Sequence, residues 1–266
     1  MHHVIDPVPT FAHTDGKKWL VPEGRPLYMT FDWGSARPFS VGWWWIDDDG
    51  RKYRFMEWYG WNGTPNQGLH LTDSEIAEGI IKREESIGLH IKEGDRSHFI
   101  INPQVARICD PTCFNKKPDS HGGGQGPSTA EIFMNMGLQM RPGDPKRVLK
   151  WRQFHEHLRI PRDANGKVNG VPMLQVYSSC QHFIRTVPSL IVDPNNIEDI
   201  DSDGEDHVGD EAALLFMARP LTQLPVKEEK KVPPKDITEI AALEREQIWD
   251  EIRAAEEREK TEQMFY

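Results

Sequence analysis

The sequence contains few cysteines, and they follow neither a disulfide nor a metal-binding pattern. Its 266 residues include three cysteines, with no CxxC pair among them. An odd number without such a pair is typical of a protein kept in a reducing compartment. Cys109, Cys113 and the nearby His121 are conceivable zinc ligands, but no second pair follows at the spacing of a zinc site. We therefore interpret the cysteines as buried thiols.

Three further patterns are missing. The N-terminal stretch MHHVIDPVPT lacks the charged and then apolar order of a secretory signal, which predicts a protein that is not secreted. No run of about eighteen apolar residues occurs, so we expect no contact with a membrane. No GxxxxGK[ST] motif is present, which excludes a P-loop ATPase within this sequence.

The formal net charge is −10, which by itself argues against a general nucleic-acid-binding protein. The charges are unevenly distributed. Residues 141–162 carry seven basic and two acidic side chains, a local charge of +5, whereas residues 193–211 carry nine acidic and no basic ones. A basic segment beside an acidic one suits an enzyme that holds a polyanion and cuts it through bound cations. It also suits ordinary surface charge.

Composition divides the chain into three segments. Residues 1–25 show weak periodicity and predict a leader or a linker from another domain. Residues 26–222 contain the candidate core. Residues 223–266 begin with the charged stretch KEEKKVPPKD and continue as a highly charged amphipathic helix. This helix either docks weakly on the core, which its charge favours, or binds another protein.

Strand and helix patterns alternate within the core segment. The hairpin signal Asp48-Asp49-Gly50 separates two aromatic strands, and Thr72 with Glu75 forms a capping box at the start of a helix. Further elements are predicted as a first strand at 26–34, a strand at 106–110, a glycine-rich loop and helix at 122–138, a basic helix at 147–158, a strand at 172–179, a short helix at 180–190 and a last helix from 206. This order predicts an α/β fold with a central mixed sheet flanked by helices.

Three carboxylates stand at informative places in this pattern. Asp32 ends the first predicted strand, Asp110 ends a later strand, and Asp210 lies in the first turns of the last helix. Clustered carboxylates repel one another unless cations lie between them. Oxygen ligands suit Mg²⁺ or Mn²⁺, and two such ions are able to promote hydrolysis of a phosphodiester.

Each acid also has a simpler interpretation. A strand-end aspartate often caps the following turn, and Asp110 precedes Pro111, which favours a turn. Taken singly, these interpretations are at least as good as a metal site. The order of the three acids, at two strand ends and one helix start, favours the metal site.

Four stretches resemble one known family. They are TFDWG, ICDPTCFNKK with GGGQGPSTAEIFMNMGL, VYSSCQHFIRTVPSL with the acidic segment after it, and EDHVGDEAALLFM. Together they resemble, over about residues 26–220, the nuclease domain of the large terminase subunit of tailed bacteriophages. That resemblance implies an RNase H-like fold and a metal-dependent endonuclease that cuts concatemeric viral DNA during packaging.

The resemblance assigns roles to particular residues. It implies that Asp32, Asp110 and Asp210 are catalytic ligands of two Mg²⁺ or Mn²⁺ ions. His207 then acts as a supporting ligand, an orienting residue or a proton carrier. Asp206 is a rival third ligand, although we favour an N-cap for the last helix. The family's arginine shortly after the last acid is missing here, where Glu211 follows Asp210.

The same resemblance implies partners. Double-stranded DNA is expected to bind basic residues, which we list as Lys116, Lys117, Lys146, Arg147, Lys150 and Arg152. An ATPase domain that this sequence lacks, a portal protein and a small terminase subunit are further expected partners, in the cytoplasm of an infected host. The glycine-rich loop at 121–126 is either a mobile segment near the metals or an ordinary surface loop. Two alternatives remain: a catalytically weak module that docks DNA or the portal, and a related resolvase or transposase nuclease.

Overall fold

The structure is a computed structural model. It describes residues 2–6, 11–12, 18–19, 21–22, 24–87, 89, 105–118, 124–194, 196–201 and 204–221, with only the backbone at 11–12, 18–19, 147–148 and 197–198. The predicted C-terminal linker and helix at 223–266 lie outside the described residues, as does the first half of the glycine-rich loop, 121–123.

The elements follow one another in the predicted alternation. The strands are β1 (Val4–Ile5), β2 (Phe11–Ala12), β3 (Lys18–Trp19), β4 (Leu27–Asp32), β5 (Ser40–Ile46), β6 (Lys52–Tyr59), β7 (Ala106–Cys109), β8 (Lys117–Pro118), β9 (Gln125–Gly126), β10 (Met140–Pro142), β11 (Leu174–Tyr177), β12 (Val192–Asp193) and β13 (Asn196–Ile200). The α-helices are α1 (Asp73–Ser86), α2 (Thr129–Asn135), α3 (Arg147–Leu158), α4 (Gln181–Thr186) and α5 (His207–Ala218). Short 3-10 helices occupy Pro111–Phe114 and Val187–Ser189.

A seven-stranded sheet forms the centre, in the order β1-β11-β6-β5-β4-β7-β10. Strands β4, β5 and β6 are antiparallel neighbours, whereas β7 and β10 on one side and β11 and β1 on the other run parallel to their neighbours. The predicted mixed sheet flanked by helices is therefore confirmed.

Helices cover both faces of this sheet. The consecutive residues Trp43 and Trp44 of β5 are fully buried and point to opposite faces, as alternation along a strand requires. The Trp43 indole donates a hydrogen bond to Glu84 of α1 at 3.1 Å. Trp44 packs edge-to-face against Phe183 of α4 and Phe216 of α5. The central strands are thus buried on both sides, which explains their nearly continuous apolar sequence.

Local signals in the sequence place the helices that surround the site. Thr72 and Glu75 form the predicted capping box at α1, and Ser128 with Glu131 forms a second one at α2. Each box pairs two backbone or side-chain groups that a helix start would otherwise leave without partners.

Within the described ranges, no helix combines the length and apolarity that a bilayer crossing demands.

Two segments differ from the sequence-based expectation. The segment 1–25 was expected to be a leader or linker, but β1 extends the central sheet by pairing in parallel with Val176 and Tyr177 of β11. The acidic segment after α4 is a short hairpin, since β12 and β13 pair antiparallel. The Trp151 indole on α3 donates a hydrogen bond of 2.9 Å to Asp199 of this hairpin.

Candidate active site

Asp32 and Asp110 lie side by side at one edge of the sheet. Asp32 is the last residue of β4, and Asp110 directly follows β7. The two strands are parallel with Phe31 opposite Cys109, and the Asp110 amide donates a hydrogen bond of 3.1 Å to the Phe31 carbonyl. The backbone ladder therefore continues to these two acids, and their juxtaposition follows from the register of the sheet.

His207 joins this pair from the first residue of α5. Its Nδ1 lies 3.0 Å from Asp32 Oδ2, within hydrogen-bond distance. The ring is largely buried, with 12% of the side chain exposed. Its other nitrogen, Nε2, is buried and has no hydrogen-bond partner among the described residues. The helix start therefore presents an imidazole to Asp32 and holds one ring nitrogen without a protein partner there.

The acids perturb one another. Burial raises the pKa of Asp32 to about 7, the hydrogen bond and charge of His207 oppose that rise, and the charges of Asp210 and Asp110 add to it. Burial alone would lower the pKa of His207, but the hydrogen bond and charge of Asp32, with Asp206 and Asp210, raise it above its usual value. Near neutral pH the Asp32–His207 pair thus retains a proton readily. A cation among these carboxylates would relieve their repulsion.

Asp210 lies on the same side of α5 and binds a lysine. Lys150 Nζ of α3 is 2.6 Å from Asp210 Oδ1, with 11% of the lysine and 20% of the aspartate side chain exposed. The sequence placed Lys150 among the residues that bind DNA. The structure places it inside the acid cluster, because α3 packs along α5 at this point.

Asp206 occupies the N-cap position of α5, where the sequence placed it, but its side chain makes no capping hydrogen bond. Only its backbone carbonyl contributes, accepting the Asp210 amide at 2.9 Å. The side chain is 7% exposed, and its Oδ1 is 4.0 Å from His207 Nδ1. The N-cap position is therefore confirmed, but the side chain does not cap the helix and lies at the rim of the acid cluster.

The Asp110 side chain caps the turn that follows it. Its Oδ1 accepts hydrogen bonds from the Thr112 amide at 2.8 Å and from the Thr112 hydroxyl at 2.5 Å, which caps the following 3-10 helix. The turn-capping interpretation is thus confirmed. Because the hydrogen bonds to this carboxylate from the described residues all go to Oδ1, the same side chain keeps Oδ2 for another partner. Capping and metal binding are compatible here.

The acids do not have the arrangement of a complete metal-binding site. No group of three or more histidine, cysteine or acidic residues with metal-binding geometry occurs among the described residues. Two of the acids have a basic partner instead: Asp210 lies against Lys150, and Asp32 lies against His207. The donor set still fits a hard divalent cation, since carboxylate oxygens predominate and the charges of Asp110 and Asp210 act on Asp32.

The lysines predicted beside the second acid are engaged in ion pairs. Lys116 pairs with Glu131 of the α2 capping box at 2.5 Å. Lys117 pairs with Asp73 of α1 at 2.7 Å, and its Nζ lies 4.5 Å from the ring centre of Trp33. Trp33, directly after Asp32, is 39% exposed. These groups form a basic and aromatic rim next to the acids.

The basic residues of α3 divide into buried and exposed groups. Lys146 is exposed and lies 3.7 Å from Asp144. Arg152 is exposed as well. The side chain of Arg147 lies outside the described residues. Of the predicted DNA contacts on this helix, Lys146 and Arg152 are accessible to a ligand, whereas Lys150 faces inward.

The sequence did not assign a role to Glu211 or Arg54. Both side chains are fully buried, and Arg54 Nη1 of β6 donates to Glu211 Oε2 at 2.7 Å. Glu211 also accepts hydrogen bonds from the hydroxyls of Thr30 and Ser40 and from the Trp44 indole. Burial raises the pKa of Glu211, and the charge of Arg54 opposes that rise. A glutamate within the apolar run EAALLFM was the available signal.

The Arg54–Glu211 pair connects α5 to the sheet. Arg54 reaches this helix from β6 and binds Glu211 rather than the neighbouring Asp210. The contact anchors α5 to three strands, because Thr30, Ser40 and Arg54 lie on β4, β5 and β6. It thereby holds Asp210, the preceding residue, at the edge of the sheet.

Comparison with known proteins gives a match only at the level of structure. No family model and no curated protein matches the sequence. The structure is similar to the large terminase of the thermophilic bacteriophage D6E in complex with ADP, with a TM-score of 0.52 and 19% sequence identity over 83% of this chain. The chain shares the fold of the matched part of that large terminase. The α/β fold expected from the sequence, with a central mixed sheet flanked by helices, is thereby confirmed.

The match spans 42% of the D6E large terminase chain. The nuclease domain of the phage P22 large terminase is also similar, with a TM-score of 0.45, 14% identity, and coverage of 82% of this chain and 88% of that one. The cobalt-bound large terminase nuclease of the thermophilic phage G20c has a TM-score of 0.43 and 10% identity, covering 73% of this chain and 81% of that one.

Proposed function

We propose that this chain is the nuclease part of a phage DNA-packaging terminase and cuts concatemeric viral DNA by metal-dependent hydrolysis of phosphodiester bonds. The observation that carries the proposal is the meeting of Asp32, Asp110, Asp210 and His207 at one edge of the sheet. The two strand-end acids are neighbours in the hydrogen-bond ladder, and the charge of Asp210 acts on Asp32. The fold that the chain shares with the matched part of a large terminase also supports the proposal.

Asp32, Asp110 through Oδ2, and Asp210 would hold two divalent cations, Mg²⁺ or Mn²⁺. When bound, such ions supply an activated water and positive charge beside the leaving oxygen. His207 orients Asp32 through the 3.0 Å contact and keeps Nε2 for a proton or a further ligand. Asp206 adds negative charge at the rim and helps to raise the pKa of His207.

DNA would approach over the rim rather than through the core. Lys116 and Lys117 lie on the β7 side of the acids, and Lys146 and Arg152 lie on α3. Phosphate contacts of this kind are weak singly and strongly dependent on salt. An ATPase domain, a portal protein and a small terminase subunit in the infected host cytoplasm would deliver and position the duplex.

The test is a plasmid-nicking assay with Mg²⁺ or Mn²⁺, repeated with EDTA, on the wild type and Asp32→Asn. The amide keeps the shape of the aspartate but ligates hard cations poorly, so cleavage should disappear while the fold remains. Asp49→Asn is the matched control, because it makes the same chemical change at a hairpin turn where the side chain is 78% exposed.

Nicking by folded Asp32→Asn at the rate of Asp49→Asn would refute the proposed site. Absence of nicking by the wild type with both metals would instead favour a module that docks DNA or the portal without cutting.

A further inference from the structure

Lys150 is buried beside the acid cluster, whereas the surface lysines are exposed to solvent. Its Nζ lies 2.6 Å from Asp210 Oδ1, and only 11% of the side chain is exposed. Lys146, one turn earlier on the same helix, is 72% exposed and lies 3.7 Å from Asp144. A lysine is seldom buried to this degree without a charge partner, so the Asp210 contact defines the position of Lys150.

The surroundings hold this lysine toward α5. Its Nζ lies 5.2 Å from the ring centre of Trp151, and the Trp151 indole is held by Asp199 at 2.9 Å. A side chain at Gly209 would come within about 3.3 Å of the same tryptophan ring, so glycine allows α3 and α5 to approach closely here. The lysine is thus positioned by the packing of two helices.

The ammonium group binds the same carboxylate that the proposed function gives to a metal ion. It carries one positive charge, which partly balances Asp210, and the charges of Asp210 and Asp110 in turn act on Asp32. We propose that Lys150 is an internal counter-ion of the metal-free site: a divalent cation has to displace it from Asp210, and the displaced ammonium then binds a phosphate of the DNA. This inference rests on the proposed function.

Coupling between metal and DNA follows from this exchange. A metal ion that displaces Lys150 leaves a largely buried ammonium without its partner, and a DNA phosphate supplies a new one. Each ligand therefore raises the affinity of the other, as linkage requires. In the absence of DNA, the lysine competes with the metal.

Metal binding without DNA tests the competition directly. Mn²⁺ is titrated by calorimetry into the wild type, Lys150→Met, Lys150→Gln and Lys146→Met. The last variant removes the same charge from the same helix without touching Asp210, and so controls for the general loss of positive charge. We expect Lys150→Met to bind Mn²⁺ about five- to tenfold more tightly than Lys146→Met. Lys150→Gln should behave likewise, and replaces Lys150→Met if that variant does not fold.

Thermal unfolding is a second measurement, and it distinguishes a lysine that competes with the metal from a lysine with a purely structural role. In EDTA, Lys150→Met should melt at a lower temperature than the wild type, because Asp210 has lost its counter-ion. In saturating Mn²⁺ the two should melt together, since the metal has replaced the lysine in both. An equal loss of melting temperature in both conditions would overturn the inference.

The outcomes separate this inference from the proposed function. Wild-type protein that binds Mn²⁺ and nicks plasmid, together with equal Mn²⁺ affinities of the Lys150 variants and Lys146→Met, would refute the role of Lys150 alone. Wild type and variants that all fail to bind Mn²⁺ would refute the metal site and the inference with it. Tight binding that appears only in the Lys150 variants would support the inference most strongly.

Discussion

Asp210 and Glu211 are consecutive residues of α5, and their carboxylates lie in opposite surroundings. Asp210 lies at the edge of the sheet, 20% exposed, against Lys150. Glu211 is fully buried against Arg54 and the hydroxyls of the central strands. One helix turn thus carries one acid available for chemistry and one acid that fixes the helix in place.

We expect loss of the carboxylate charge to lower the free energy of unfolding more at Glu211 than at Asp210. Glu211→Gln leaves the fully buried Arg54 with Glu57, at 3.4 Å, as its remaining carboxylate partner and should lower the free energy of unfolding by up to about 3 kcal/mol. Asp210→Asn takes the counter-charge from Lys150, whose side chain is 11% exposed, and should lower it by less than Glu211→Gln does while abolishing cleavage. Urea unfolding of both variants in EDTA measures the difference. Equal stabilities would show that the buried pair is not the anchor of α5.

A double variant isolates the pair itself. Replacing Arg54 and Glu211 together by Met and Leu removes both buried charges, and should recover part of the stability lost in Glu211→Gln. Stability lower than that of Glu211→Gln would contradict this account of the pair.

His207 should matter for cleavage more than for metal binding. His207→Ala removes the contact to Asp32 but no carboxylate, so we expect roughly a 10–100-fold loss of cleavage, as for residues that orient a metal ligand. Calorimetry should still show Mn²⁺ binding. His155→Ala, on the exposed side of α3, is the control. Loss of Mn²⁺ binding as complete as in Asp210→Asn would make His207 a ligand in its own right.

DNA affinity should depend on salt through the exposed face of α3. Arg152→Gln removes one accessible guanidinium and should reduce the slope of log affinity against log salt by about 1. Lys82→Gln is the control, because Lys82 is 74% exposed on α1, on the opposite face of the sheet. Fluorescence anisotropy with a labelled duplex, in EDTA to prevent cleavage, gives both slopes. An unchanged slope in Arg152→Gln would place the duplex elsewhere.

His157 should make stability sensitive to mild acid. It is fully buried, stacks on Phe216 at 4.2 Å, and burial lowers its pKa to about 3 from 6.5. Between these two pKa values, His157 is therefore protonated in the unfolded chain and neutral in the folded protein. This part of the stability is present above pH 6.5 and is lost as the pH falls, by up to roughly 1.4 kcal/mol per unit.

His157→Gln keeps a donor for the Gln153 carbonyl but cannot be protonated. Its free energy of unfolding should fall less between pH 7 and pH 5 than that of the wild type, as urea titrations at several pH values would show. Parallel curves for the two proteins would mean that His157 is protonated inside the fold.

Periodicity and capping signals were sufficient for most of the fold. The hairpin around Gly50, the capping box of Thr72 with Glu75 and the basic helix all depend on residues close in sequence, and each forms as expected. Strand-end position likewise predicted that Asp32 and Asp110 would meet. Strand β1 was not predictable in this way, because two residues carry no period and its partner β11 lies about 170 residues away.

The partners of Lys150 and Arg54 were not predictable for the same reason. Sequence shows Lys150 within a basic stretch, where solvent exposure is the ordinary expectation. Its inward position depends on how α3 packs on α5. Arg54 lies in an aromatic strand and Glu211 in an apolar helix, 157 residues apart, so only the assembled core reveals that they neutralise one another.

The three acids differ in how easily their positions in the sequence can shift during evolution. Two of them lie at the ends of the paired strands β4 and β7, and the third lies on a helix. Asp32 and Asp110 are spaced by the repeat of neighbouring strands, roughly 4.8 Å, and moving either by one residue would turn its side chain to the opposite face. Asp210 belongs to a helix, where a residue four positions away points in nearly the same direction, and Asp206 already stands there. A lineage with this architecture can therefore transfer its third acid between successive turns of α5, while the two sheet positions stay where they are.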